Sequence, residues 1–263
     1  MRVFDGCLIL SPHRDDAILS CGGLAAALQS DGRPATIVNV FGGTAEPPAL
    51  SDFARGALAA LGVETFAEAA ALRSAEDARA RAIVGARSVD LDFLPAPIRS
   101  PYFTGWESIV GAIPPGDAKL AAAIVDALHR TGLLAQSPWI VGPLAMGNHV
   151  DHALVRIAGA ALASRGYRVA FFEDFPYCVS DDVLEEWADP PGMQACTFSL
   201  GAFAAAKIAA IRCYGSQLAA LFPENVEAAL SKNAARLAED GPAERYWLAP
   251  RLAPAFAEAL AFR

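Results

Sequence analysis

Short apolar runs rich in β-branched residues alternate along this chain with segments of helical period, and that alternation narrows the fold more than any other feature. Residues 7–11 and 35–41 read as buried strands, with Ile18, Leu19, Leu24 and Leu28 at helical spacing between them. Asp16 stands where a helix begins, and Gly32 followed by Pro34 ends it. The unit recurs: residues 139–144 read as a strand, 150–165 as a helix and 169–172 as a strand, with 89–94 a weaker strand. Such β-α-β repetition implies an α/β fold, a Rossmann-like, mainly parallel sheet with helices on both faces. Residues 52–61, 74–86 and 117–130 read as covering helices, 203–221 as one long C-terminal helix and 226–237 as another. Two stretches, 95–116 and 176–199, carry prolines and aromatics and read as long loops of the kind that form lids or packed excursions. No repeat or linker divides the chain, so residues 1–263 are expected to form a single domain.

Composition excludes several classes. An apolar fraction of 54 % with 19 % charged residues suits a compact folded chain. A net charge of -8 without any Lys/Arg-rich run argues against a nucleic-acid partner. No window is apolar enough to span a membrane, and the N-terminus lacks the layout of a signal peptide. The five scattered cysteines (Cys7, Cys21, Cys178, Cys196, Cys213) form no Cys-x-x-Cys pair and read as reduced, which places the expectation in the cytoplasm.

Chemistry concentrates in two places. Three of the four histidines sit in acidic clusters: His13-Arg14-Asp15-Asp16, and His149-Val150-Asp151-His152. Each cluster follows a strand, and ligands of open parallel sheets sit beyond the carboxyl ends of the strands. Two clusters far apart in sequence are therefore expected to converge on one crevice. Imidazoles grouped with carboxylates suit a divalent metal, most naturally zinc. His129, among charged neighbours on a helix, reads as an ordinary surface residue.

The first cluster followed by Cys21-Gly22-Gly23, together with the second, resembles the PIG-L (LmbE-like) family of zinc-dependent N-acetylglucosamine deacetylases, over roughly residues 6–175. The chain departs from the family pattern at Arg14 and Ala17, where the family carries Pro and Glu. Carried over, the resemblance implies that His13, Asp16 and His152 bind one Zn²⁺, or another divalent metal. It makes Asp15 the general base, His149 a protonated electrostatic and acid partner, and Asp151 the residue that orients His149. A helix N-cap remains the structural alternative for Asp15. Arg73 resembles a family Arg that meets sugar hydroxyls. Arg14, Tyr102 and Glu173 are further substrate-binding candidates, with Arg14 either meeting an anionic group or pairing with a nearby acid. The expected partner is a small aminosugar substrate and the expected reaction removal of its N-acetyl group. Two alternatives stay open: cleavage of a larger amide of a sugar conjugate, and a non-catalytic module that holds an anion at helix N-termini.

Overall fold

The computed structural model describes residues 6–47, 49–136, 138–187 and 190–262. Residues 1–5, read above for the absence of a signal peptide, lie outside these, as do residues 188 and 189 within the second long loop. The first half runs β1 (Cys7–Ser11), α1 (Asp16–Ser30), β2 (Thr36–Asn39), α2 (Asp52–Ala60), α3 (Phe66–Val84), β3 (Arg87–Asp90), α4 (Ala96–Arg99), α5 (Trp106–Ile109) and α6 (Leu120–Arg130). The second runs β4 (Trp139–Pro143), α7 (Val150–Ser164), β5 (Arg168–Phe172), α8 (Asp181–Trp187), β6 (Gln194–Ser199), α9 (Ala204–Ile211), α10 (Gly215–Leu221), α11 (Val226–Arg236), β7 (Ala243–Leu248) and α12 (Ala253–Ala259).

The sheet has seven strands in the order β3-β2-β1-β4-β5-β7-β6. The first five in that order are parallel, and β7 and β6 add an antiparallel edge. Every residue of β1 and β4 is buried, as expected of strands covered on both faces. Helices α1, α3 and α9 pack against one another, and α6 packs against α7. Right-handed crossovers running in opposite directions from the sheet centre put these two groups on opposite faces. The chain moves outward from β1 through β2 to β3, then returns to β4 and moves the other way. The order thus reverses between β1 and β4, and a crevice opens beyond their carboxyl ends.

Several elements differ from the sequence expectation, among them the short helices α4, α5 and α8 within the stretches read as loops. Helix α3 starts at Phe66, well before residue 74, because Thr65 and Glu68 form a reciprocal capping box. The long C-terminal helix divides into α9 and α10 at Tyr214, whose phenol is drawn inward to Asp77. Strands β6 and β7 lie where the sequence showed no strand; β7 carries the buried charge Glu244, which masks its apolar pattern. No helix among the described residues is long and apolar enough to cross a membrane.

Candidate active site

Backbone geometry places the two clusters. After β1, the N–H of Ala17 donates to Ser11 Oγ at 2.8 Å, and the N–H of His13 donates to Asp16 Oδ2 at 2.7 Å, which folds residues 11–17 into a tight entry to α1. After β4, Ala145, Gly147 and Asn148 all adopt positive φ. Left-handed backbone in two non-glycine residues is costly and marks a loop held for function. The loop delivers His149 to the N-cap of α7, where its Nδ1 accepts the N–H of Asp151 at 3.1 Å. His149 and His152 then share the first turn of α7.

The clusters meet across the crevice. Asp16 Oδ2 lies 3.2 Å from His13 Nδ1 and 3.3 Å from His152 Nε2. Ligands of a tetrahedral ion with bonds near 2.0–2.1 Å stand about 3.3 Å apart, so this spacing fits zinc. His13, Asp16 and His152 together form a group able to hold a metal ion. The outer nitrogens are also committed. His152 Nδ1 lies 2.6 Å from Asp174 Oδ1, and His13 Nε2 lies 3.0 Å from Asp151 Oδ2. A carboxylate behind each imidazole fixes the ring and its tautomer, the usual support of a metal-binding histidine. Asp151 is anchored in turn by the N–H of Ala96 at 2.9 Å and by Arg99 at 2.9 Å. Arg99 reaches on to Asp117 and lies over the rings of Phe41 and Phe103, which pins the 95–116 segment to the site.

Charge settles what the cluster lacks. The buried acids Asp16 and Asp151 raise the His13 pKa to about 9 against the opposing effect of burial, and Asp16 and Asp174 hold His152 well above its ordinary value. His149 is the opposite case: burial, reinforced by nearby His13, lowers its pKa to about 3. It is therefore a neutral imidazole, not the protonated donor expected from the sequence. Because its Nδ1 accepts from the backbone, the proton resides on Nε2.

Asp15 stands at the N-cap position of α1 yet makes no side-chain cap hydrogen bond. Its Oδ1 pairs instead with Arg73 Nη2 at 2.7 Å, and both side chains are largely buried. Arg73 is thus brought to the site, and its Nη1 is buried without a hydrogen-bond partner. The remaining candidates stand elsewhere. Arg14 turns away from the crevice to Asp90 at 2.9 Å and the carbonyl of Gly42 at 2.9 Å, the pairing alternative of the sequence reading. Asp151 directs its carboxylate to His13 and Arg99, so it orients His13 and touches His149 only through its backbone. Glu173, expected to bind substrate, is instead buried with its oxygens on Trp247 Nε1 at 2.9 Å and on Arg236. Tyr102 is 55 % exposed and stacks edge-on to Phe103. Arg99 is the site residue that sequence reasoning passed over, and Asp174 was placed at the sheet edge without a role. For Asp174 the signal was present, since it follows β5 at the same sheet edge. All five cysteines are unpaired, and burial pushes Cys21 far above the thiolate range, so it is no nucleophile.

Comparison with known proteins gives the family and the fold. Residues 8–163 match the PIG-L family, described as GlcNAc-PI de-N-acetylase. The chain belongs to the PIG-L family. It is 29 % identical over 260 residues to the 2'-N-acetylparomamine deacetylase of Niallia circulans, covering 92 % of this chain and 90 % of that protein. Among solved structures it resembles a deacetylase of teicoplanin biosynthesis, with a TM-score of 0.78 and 27 % identity over 92 % of this chain and 96 % of the other. It is also similar to the zinc-inhibited form of teicoplanin deacetylase, with a TM-score of 0.77 and 26 % identity over the same shares, 92 % and 96 %. Family and relatives together make this PIG-L protein a deacetylase of the hydrolase class.

Proposed function

We propose that this PIG-L protein removes the N-acetyl group of an N-acetylglucosamine-type aminosugar carried in a glycoside or conjugate, using one zinc ion held by His13, Asp16 and His152 and Asp15 as general base. The observation that carries the reading is the division of labour between adjacent carboxylates. Asp16 faces two imidazole nitrogens at 3.2 and 3.3 Å, whereas Asp15 leaves its cap position to pair with Arg73. Relatives named as a 2'-N-acetylparomamine deacetylase and as a deacetylase of teicoplanin biosynthesis support the substrate class. A main buried core with members from Cys7 to Leu260 supports treating the chain as one deacetylase domain.

His13, Asp16 and His152 would hold the zinc, which would supply a Lewis acid that activates water for attack. The chain's own groups carry the protons. Arg73 holds Asp15 Oδ1, which leaves Oδ2 to take the proton of the water that attacks the acetamide carbonyl. His149 offers Nε2–H to the oxygen on which negative charge develops. Asp15, now protonated, delivers that proton to the departing amine. Asp151 and Asp174 hold His13 and His152 in orientation throughout. Chelation should abolish acetate release from an N-acetylglucosaminide, and added Zn²⁺ should restore it; full activity in a metal-free preparation contradicts the reading.

A further inference from the structure

Asp15 and its partner Arg73 are held from behind by a residue that the chemistry above does not use. Tyr214 is 1 % exposed and stands where α9 ends and α10 begins. Its hydroxyl lies 2.9 Å from the carbonyl oxygen of Arg14 and 3.0 Å from Asp77 Oδ1. Arg73 Cζ lies over its ring, 5.9 Å from the centroid and within cation–π range.

The Arg14 carbonyl is a telling acceptor. The hydrogen-bond ladder of α1 starts one residue later, where the Asp15 carbonyl accepts the N–H groups of Ile18 and Leu19 at 2.9 Å each. The Arg14 carbonyl therefore stands outside the helix, and the Tyr214 hydroxyl reaches it there. That carbonyl and the N–H of Asp15 belong to one rigid peptide plane, so fixing the carbonyl restrains the backbone from which the Asp15 side chain departs. Asp15 needs such an anchor because its side chain makes no cap hydrogen bond to its own helix.

Arg73 is held by the same segment. It grips Asp15 Oδ1 through Nη2 at 2.7 Å, and its Nη1 lies 4.0 Å from Glu76 Oε2. Glu76 is fixed in turn by the N–H and the hydroxyl of Ser216, two residues past Tyr214, at 2.7 Å each. The break between α9 and α10 thus serves both members of the ion pair. The Tyr214 hydroxyl sets the backbone of Asp15, while its ring and the Ser216–Glu76 contact set the guanidinium. Packing alone would be met by phenylalanine; the hydroxyl is what joins the entry of α1 to Asp77 on α3.

We propose that Tyr214 is a positioning residue for deacetylation, holding Asp15 and Arg73 in the geometry that leaves Asp15 Oδ2 free to act as base. The inference rests on the reading of Asp15 as general base and adds a residue that acts through Asp15 rather than on the substrate.

The test is a double-mutant cycle between Tyr214→Phe and Asp15→Asn in the zinc-loaded full chain, with the methyl glycoside of N-acetylglucosamine as substrate and kcat expressed per bound zinc. Tyr214→Phe keeps the ring and removes the hydroxyl. It should keep its zinc and its KM and lose about 10–100-fold in kcat, the loss expected of a base displaced by about an ångström. Added to Asp15→Asn, the same change should cost less than about twofold, because no base is left to position. In chelated protein, amide exchange across residues 14–17 should be faster in Tyr214→Phe than in the parent, a readout independent of turnover. Should Tyr214→Phe fold poorly because Asp77 loses its donor, Tyr214→Phe combined with Asp77→Asn removes the stranded charge and should show the same kcat loss. Unchanged kcat per zinc without the hydroxyl, a loss expressed in KM, unchanged amide exchange, or a kcat loss that adds fully to that of Asp15→Asn overturns the proposal and leaves the base reading standing. Near-wild-type kcat in Asp15→Asn overturns the base reading, and the positioning role with it.

Discussion

Two clusters of buried charge lie along helix α1, one at its middle and one at its start. At the middle, Lys207 Nζ meets Glu244 Oε1 at 2.7 Å, and the remaining capacity of Glu244 is taken by the N–H groups of Gly23 at 2.8 Å and Leu24 at 3.0 Å and by Tyr246 Oη at 2.6 Å. One cation faces one anion and the lone pairs are used. Gly23 permits it: an added Cβ would fall 2.3 Å from Leu200 and 3.0 Å from Glu244. At the start of α1 the balance is different. Asp15, Asp16, Asp151 and Asp174 converge with Arg73 and Arg99, which also meet Glu76 and Asp117, so carboxylates outnumber guanidiniums. Negative charge is left in surplus, and protons on His13 and His152 or a divalent cation would offset part of it. The lesson is that burial of charge alone does not mark a site. A closed ledger marks a structural clamp, and a surplus of one sign marks a place built for something else to enter.

Mutations should separate the two clusters. Removing a ligand gives the largest effect: His152→Ala should remain folded, retain little zinc and lose turnover beyond the roughly 10²–10⁴-fold typical of a lost general base. Metal analysis beside circular dichroism checks this. At the other cluster Lys207→Met leaves Glu244 buried and unpaired, and should cost about 3–5 kcal/mol of stability in denaturant titration. The paired change Lys207→Met with Glu244→Gln should regain most of that loss, and zinc content per folded molecule should not change. A stable Lys207→Met variant would break the contrast. Asp151→Asn and Asp174→Asn are milder, because they loosen His13 and His152 without removing them; zinc affinity should fall about 10–100-fold in each.

The smallest effect is a trend with pH. In the metal-free protein the His13 pKa is raised from 6.5 to about 9. A raised pKa means that the protonated form stabilises the fold, with the contribution fully present below pH 6.5 and lost as pH rises through about 9. The Tm of chelated protein should therefore decline between those values, and zinc should suppress the decline. A chelated sample whose Tm is flat across that range would show that the two acids do not act on His13 in this way.

How much of this the sequence revealed follows the same division. His13, Asp15, Asp16, His149, Asp151 and His152 were legible because each follows a buried apolar run, and the strand-end rule places such residues together. Asp174 obeys the same rule but stood behind Glu173, and nothing in the order of two adjacent acids says which reaches the crevice. Arg14 could not be resolved, since its partner Asp90 comes from β3, two strands away. The start of α3 was available in the Thr65-x-x-Glu68 spacing. The antiparallel edge was hidden for a physical reason: Glu244 serves the middle of α1, and a strand that buries a carboxylate no longer shows an apolar pattern.

The central claim is that adjacent carboxylates Asp15 and Asp16 have different jobs, and paired measurement of zinc content and kcat in Asp15→Asn and Asp16→Ala tests it most directly. The account predicts that Asp16→Ala loses zinc and activity together, whereas Asp15→Asn keeps its zinc and loses about 10²–10⁴-fold in kcat. Near-wild-type kcat in zinc-loaded Asp15→Asn, or full zinc content in Asp16→Ala, would contradict it.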